Sequence, residues 1–228
     1  MRLLPISGIV ALATSNFFST QTTMITCLTT SRTLEDLVIC LAEFTVPTGT
    51  YDATTYASAQ PSTSELAAWT TVIASLLEVD GNCSSVSPTG LTGFYTVSLF
   101  TESVTDGRSF CILSESNSNS GYYVRGWGLV AVPATRAAVS RNIHFSAPHP
   151  INDSRTPEQA AGLFKRTGAK SLVITGRQRD AYKIASSCQG DYFKTDAAHD
   201  IVRHLIHIFF VQGCNPNVVS RTNLSMTL

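Results

Sequence analysis

A chain of 228 residues, 43% of them hydrophobic, can bury a sizeable core in one large domain or two small ones. Sixteen basic and sixteen acidic residues cancel, and no Lys/Arg run or stripe is present, so nucleic-acid binding has little support and no nucleic-acid partner is expected. Charged residues make up only 14%, with the remaining polarity carried mostly by Ser and Thr, a balance that leans towards a secreted protein.

The first twenty residues, MRLLPISGIVALATSNFFST, carry Arg2 as a short basic region, Leu3 to Val10 as a modest apolar region and Ala11-Leu12-Ala13 as a small-residue cleavage site. They read as a signal peptide over 1–20, too short to span a bilayer. No other apolar run is long enough to cross a membrane, so no membrane partner is expected. Residues 21–228 then read as a single domain.

In "RTLEDLVICLAEFTV", Leu34, Leu37, Val38 and Leu41 fall at helical spacing, which predicts a helix followed by a short strand. "PTGTYDATTYASAQPS" reads as a turn-rich loop. "SELAAWTTVIASLL" is the next helix, with Ser62 and Glu65 as a capping box and Leu66, Trp69, Val72, Ile73 and Leu76 as its buried face. "GFYTVSLF" and "RSFCILSE" read as a hairpin across "SVTDG". "SNSNSG" reads as a flexible polar loop, and "YYVRGWGLVAVP" as a strand interrupted by Gly126 and Gly128.

The pattern then changes. "RNIHFSAPHP" predicts a strand over 143–148. "TPEQAAGLFKRTG" predicts a helix over 157–167, with Thr156 as N-cap, Pro157 at the first position, Gln159 closing a capping box and Gly168 as the stop. "AKSLVITG" predicts a buried strand over 171–175. Strand, helix and strand make one βαβ unit. "AAHDIVRHLIHIFF" reads as a final helix. The tail, 212–228, has no clear period and reads as an irregular end or as a chain that stops before a domain is complete. The expected fold is α/β: one domain with a mixed sheet, antiparallel in its N-terminal portion, ending in the βαβ unit.

The six cysteines, Cys27, Cys40, Cys83, Cys111, Cys188 and Cys214, form no C-x-x-C pair, which argues against a finger-type zinc site. An even count behind a signal peptide suggests disulfides, with Cys27–Cys40 and Cys83–Cys111 as the simplest pairs; other connectivities stay open. Three N-x-S sequons, at Asn82, Asn152 and Asn223, are compatible with a glycoprotein.

Ligands in α/β sheets bind beyond the carboxyl ends of the strands. His149 and Asp153 follow one such strand, Arg177 and Arg179 follow the next, and Asp196 and His199 open the last helix. Two His and one carboxylate with an open position is the usual catalytic zinc set, here His149, Asp153 and His199. Such an ion activates water and polarises a carbonyl. Arg179, with Arg177, would clamp a substrate carboxylate or stabilise a developing oxyanion, and Asp196 would orient His199 or act as base. Each residue also has a plain structural reading. Pro148-His149-Pro150 can be simple strand termination, Asp153 an Asx-turn, Asp196 an N-cap, His199 part of a solvated stripe, and Arg177 and Arg179 surface charges. No G-x-S-x-G elbow, Walker loop or G-x-G-x-x-G is present.

Taken together, "FTVPTGTYDATTYASAQP", "SFCILSE", "YVRGWGLVAVP", "SAPHPINDSRTPEQAAGLFKRTGAKSLVITGRQRDAY" and "TDAAHD" resemble a group of secreted fungal proteins, over roughly residues 31 to 210. PHP-x2-D-x2-T, the apolar G-x-x-R stretch and D-x-A-H carry the resemblance. More loosely, the chain is similar to zinc-dependent amidohydrolases acting on poly-γ-glutamate or N-formylglutamate. That similarity implies zinc as cofactor, His149 and Asp153 as ligands with His199 as the third, and a small-molecule or peptide-like substrate. It departs in the tail, since such enzymes bring a late strand and a catalytic acid from downstream. The expectation is a secreted hydrolase of amide or peptide-like bonds. The alternatives are a secreted non-catalytic binding or effector-like protein and, third, a phosphate-ester hydrolase using His149 with Arg177 and Arg179.

Overall fold

A computed structural model describes residues 23–119, 121–184 and Ala197. The expected signal peptide, Asp196, His199, Cys188, Cys214, the third sequon, the tail and all of the expected final helix but Ala197 lie outside the described residues. The fold is the expected α/β one. Helices α1 (Met24–Thr30), α2 (Leu34–Ala42), α3 (Ala53–Ala59) and α4 (Thr63–Leu77) come first. Strands β1 (Tyr95–Thr101), β2 (Ser109–Glu115), β3 (Ser118–Asn119), β4 (Tyr122–Tyr123) and β5 (Leu129–Pro133) follow. The chain then runs through β6 (His144–Ala147), α5 (Thr156–Thr167) and β7 (Ser171–Ile174).

The main sheet has the order β1-β2-β5-β7-β6, and β3 pairs with β4 in a small ribbon of its own. β1–β2, β2–β5 and β5–β7 are antiparallel, while β6 and β7 are parallel and joined by α5. This is the predicted βαβ unit. Helices cover both faces, so the inner strands are continuous apolar runs rather than alternating ones. In β2, Phe110 and Ile112 join the core beneath α2 and α5, whereas Cys111 and Leu113 join the core built on Trp69, Ile73 and Leu76 of α4.

Reciprocal caps start α2 (Thr33 with Asp36) and α4 (Ser62 with Glu65). Two disulfides, Cys27–Cys40 and Cys83–Cys111, tie α1 to α2 and the turn after α4 to β2. Among the described residues, no helix is long and apolar enough to cross a membrane.

Several local expectations are corrected. The loop after Pro47 contains α3, because Asp52 and Thr55 cap it reciprocally. α1 carries no strong period and was not foreseen. Part of the "SNSNSG" loop pairs as β3, and the long strand from Tyr122 divides into β4 and β5. Gly126 and Gly128 take φ of 68° and 90°, which bends the chain between them. The short strand after α2 reduces to a single parallel bridge, Val46 to Arg177. α5 begins one residue early. Arg155, at φ 61°, is its N-cap and donates no side-chain cap; Thr156 lies inside the helix, and its hydroxyl donates to the Asp153 carbonyl at 2.6 Å. Gly168 ends the helix at φ 60°, as predicted.

Candidate functional site

β6 and β7 run parallel, so their carboxyl ends, Ala147 and Ile174, lie side by side in register. Thr175 fastens the two exits. Its N–H donates to Ala147 O at 3.3 Å and its hydroxyl to Pro148 O at 2.7 Å. The chain then turns through 149–155. Asp153 N–H donates to His149 O at 3.1 Å, which folds the Asp153 side chain back onto the imidazole. Arg155 closes the turn in the left-handed region, at a cost of about 1–2 kcal/mol for a non-glycine residue. Its guanidinium is paired two-pronged with Glu158, at 2.8 and 2.7 Å.

His149 Nδ1 lies 2.9 Å from Asp153 Oδ2 and 2.9 Å from Arg179 Nη2, and Arg179 Nη2 is 3.3 Å from Asp153 Oδ1. One hydrogen decides between two patterns. With Nδ1 protonated, the imidazole donates to Asp153, and Arg179 pairs with Asp153 rather than with the ring. With Nδ1 bare, it accepts from Arg179 and presents a lone pair towards a cation. The imidazole is buried, whereas the side chains of Asp153 and Arg179 are 42% and 45% exposed, so the trio opens to solvent on its charged side.

Arg179 is held through its backbone. Its N–H donates to Asn152 Oδ1 at 2.9 Å, and its carbonyl accepts from Ala197 N–H at 3.1 Å. A parallel ledge supports the same segment. Val46 and Tyr51 bridge Arg177 and Tyr182, and Gly49 N–H donates to Asp180 O at 2.7 Å. The Asn152 contact was not foreseen; the only signal in the sequence was that Asn152 lies between His149 and Asp153.

The structure therefore brings His149, Asp153 and Arg179 together. Asp196 and His199 lie outside the described residues, on either side of the buried, helical Ala197 that bonds Arg179. Arg177 does not join the trio. It is fully buried, with Nη2 donating to Ala59 O at 2.6 Å and Arg125 O at 2.8 Å, and with its guanidinium over the rings of Tyr51 and Tyr56.

Arg177 belongs to a second buried cluster at the same end of the sheet. The Glu115 carboxylate, at the end of β2, accepts N–H groups of Arg125 (2.5 Å) and Gly126 (2.9 Å). Burial pushes this carboxyl up to about 7 from its usual 4.5, against the pull of backbone donors on Arg125, Gly126 and Trp127 and of the Arg177 charge. The folded chain therefore holds this proton up to about pH 7, and the unfolded chain loses it near 4.5. The stability it contributes is complete below 4.5 and is lost as pH rises through 7, on the order of 3 kcal/mol. We expect the urea midpoint to fall between pH 4.5 and 7.5, and Glu115→Gln to flatten that slope. Equal slopes in the two proteins would refute the assignment.

Among the described residues there is no group of three or more His, Cys, Asp or Glu placed to hold a metal. His149 and Asp153 supply two converging donors. No family model, no curated protein and no solved structure matches the chain.

Proposed function

We propose that this chain is a secreted hydrolase of amide or peptide-like bonds, with its reaction centre at His149, Asp153 and Arg179. One observation carries the reading: three side chains from two strand exits converge at 2.9–3.3 Å, at the sheet end where α/β folds bind ligands. The two disulfides support secretion.

The donor set suits zinc. His149 Nδ1 and Asp153 Oδ2, 2.9 Å apart, are the nitrogen and carboxylate donors that would hold such an ion. An ion bound there would displace the Arg179 guanidinium from His149 Nδ1 and free it for the substrate. His199 is the proposed third ligand, a reading supported by the hydrogen bond from Ala197, two positions before it, to the Arg179 carbonyl. Such an ion would supply water activation near neutral pH and polarisation of the scissile carbonyl.

The chain's own residues do the rest. The Asp153 turn fixes the imidazole. Arg179, half exposed on a backbone pinned at both its N–H and its carbonyl, takes a substrate carboxylate or the oxyanion that develops on the attacked carbonyl. Asp196 takes the proton or orients His199. Burial of Arg177 removes one of the two arginines on which a phosphate-ester reading depended. The remaining alternative is a non-catalytic binding protein, favoured by the way Arg179 and Asp153 satisfy each other.

Elemental analysis of the purified, secreted protein tests the proposal. We expect about one zinc per chain, lost in His149→Ala while the thermal melt stays cooperative, and hydrolysis of γ-glutamyl or N-acyl amide substrates. No metal, and none taken up on adding zinc, would overturn the metal site and favour the binding protein.

A further inference from the structure

We infer that Asn82 carries an N-linked glycan and that Asn152, the other sequon asparagine among the described residues, stays bare. The inference rests on the secreted character proposed above, and on how differently the fold treats the two side chains.

Asn82 precedes a 3-10 turn, Cys83–Ser85, and its side chain caps nothing there. It is exposed, and the surroundings are open: a Cβ built on neighbouring Gly81 meets no atom within 4 Å. The Ser84 hydroxyl donates to Asn82 Oδ1 at 2.7 Å, so the sequon's own hydroxyl rests on the acceptor carboxamide and draws charge from its oxygen. Cys83, between them, is bridged to Cys111, which follows it by 28 residues. The sequon therefore emerges, and can be modified, before its bridge can close.

Asn152 is also exposed, but its Oδ1 accepts the Arg179 N–H at 2.9 Å, on the turn between His149 and Asp153. A sugar there would cover the candidate site. The sheet keeps the two positions apart. Gly81 N–H donates to Ala134 O, just past the Pro133 end of β5, while the Leu129 end of β5 pairs with Ile174 on the site's side. A glycan at Asn82 leaves His149 open.

The transfer needs a lipid-linked oligosaccharyl pyrophosphate as donor. Asn82 Nδ2 forms a bond to the anomeric carbon and loses one proton. The bond from that carbon to the pyrophosphate oxygen breaks, and the lipid pyrophosphate leaves.

The full chain, secreted from a eukaryotic host, is treated with peptide-N-glycanase in heavy-oxygen water, and its peptides are weighed. We expect the label at position 82, none at position 152, and loss of one glycan-sized mobility step in both Asn82→Gln and Ser84→Ala. Secreted chain without label at position 82, or with label at position 152, overturns the inference while leaving secretion intact. Failure of the chain to reach the medium overturns secretion and the glycan together.

Discussion

Gly128→Ala is expected to leave no cooperatively folded protein. Gly128 has φ 90°, and a Cβ there would stand 1.9 Å from the Ile174 carbonyl oxygen and 2.7 Å from the Thr175 backbone. Both neighbours are main-chain atoms at the exit of β7 and cannot swing away. Gly126 and Gly176 interlock at the same place: a Cβ on Gly176 would lie 2.8 Å from Gly128 N. The three glycines let the entry to β5 press against the exit of β7, and that approach sets where Arg177 and Arg179 begin. The combined strain and overlap exceed about 4–5 kcal/mol, a large share of a typical domain's stability. Gly81→Ala is the matched control. It has φ 86° but open space, so only backbone strain is at stake, about 1 kcal/mol. Thermal melts of both variants decide the matter. A Gly128→Ala melt as high as that of Gly81→Ala would show that the strand exits are not locked in this way.

Arg177→Met comes next in size. The substitution keeps most of the apolar stem but removes donors to Ala59 O and Arg125 O, strips a cation from the Tyr51 and Tyr56 rings, and takes positive charge from beside Glu115. Breaking a buried charge network of this kind costs about 3–5 kcal/mol. Arg177→Lys is not expected to restore it, because an ammonium lacks the planar fork that reaches two carbonyls at once. Without Arg177 the Glu115 carboxyl climbs further, so the loss of stability with rising pH continues to higher pH and becomes larger. Arg179→Met, at a side chain 45% exposed, should cost little stability yet impair the site. Denaturant midpoints at two pH values separate these outcomes. Equal losses at 177 and 179 would contradict the division between scaffold and site.

That division was not legible in the sequence. Both arginines follow the end of the second strand of the βαβ unit, so Arg177 and Arg179 read as a pair aimed into one crevice. The chain instead begins a turn at Arg179, with Ala181 N–H donating back to Gln178 O, and the segments that claim Arg177 lie far away, around Ala59 and Arg125. Nothing local announces such partners. The βαβ unit was legible because its signals are local: Pro157 at the helix entry, Gly168 at its end, and a short apolar run on either side. α4 was legible through its Ser62–Glu65 box. α3 was missed because its cap pairs Asp52 with Thr55, without the acidic third residue that usually marks a box, inside a stretch flanked by Pro47, Gly49 and Pro61. The meeting of His149 with Asp153 was half legible. Their spacing suggested one site, but the contact depends on the 149–155 turn and on the left-handed Arg155, which no side-chain pattern specifies.

The ledge beneath Arg179 also bears on the order in which the molecule assembles. Thr48 donates to Gln178 through both its backbone N–H and its hydroxyl, across 130 positions of chain. The helices around α2 and the β1–β2 hairpin can form from near neighbours as soon as they emerge. The Arg179 loop can settle only when the segment after β7 reaches back to a partner made much earlier. Contacts so distant in sequence form late, because the entropy of closing the loop must be met before they stabilise anything. A nascent chain thus acquires most of its core before His149, Asp153 and Arg179 meet, and a site built this way is assembled only once β7 is in place.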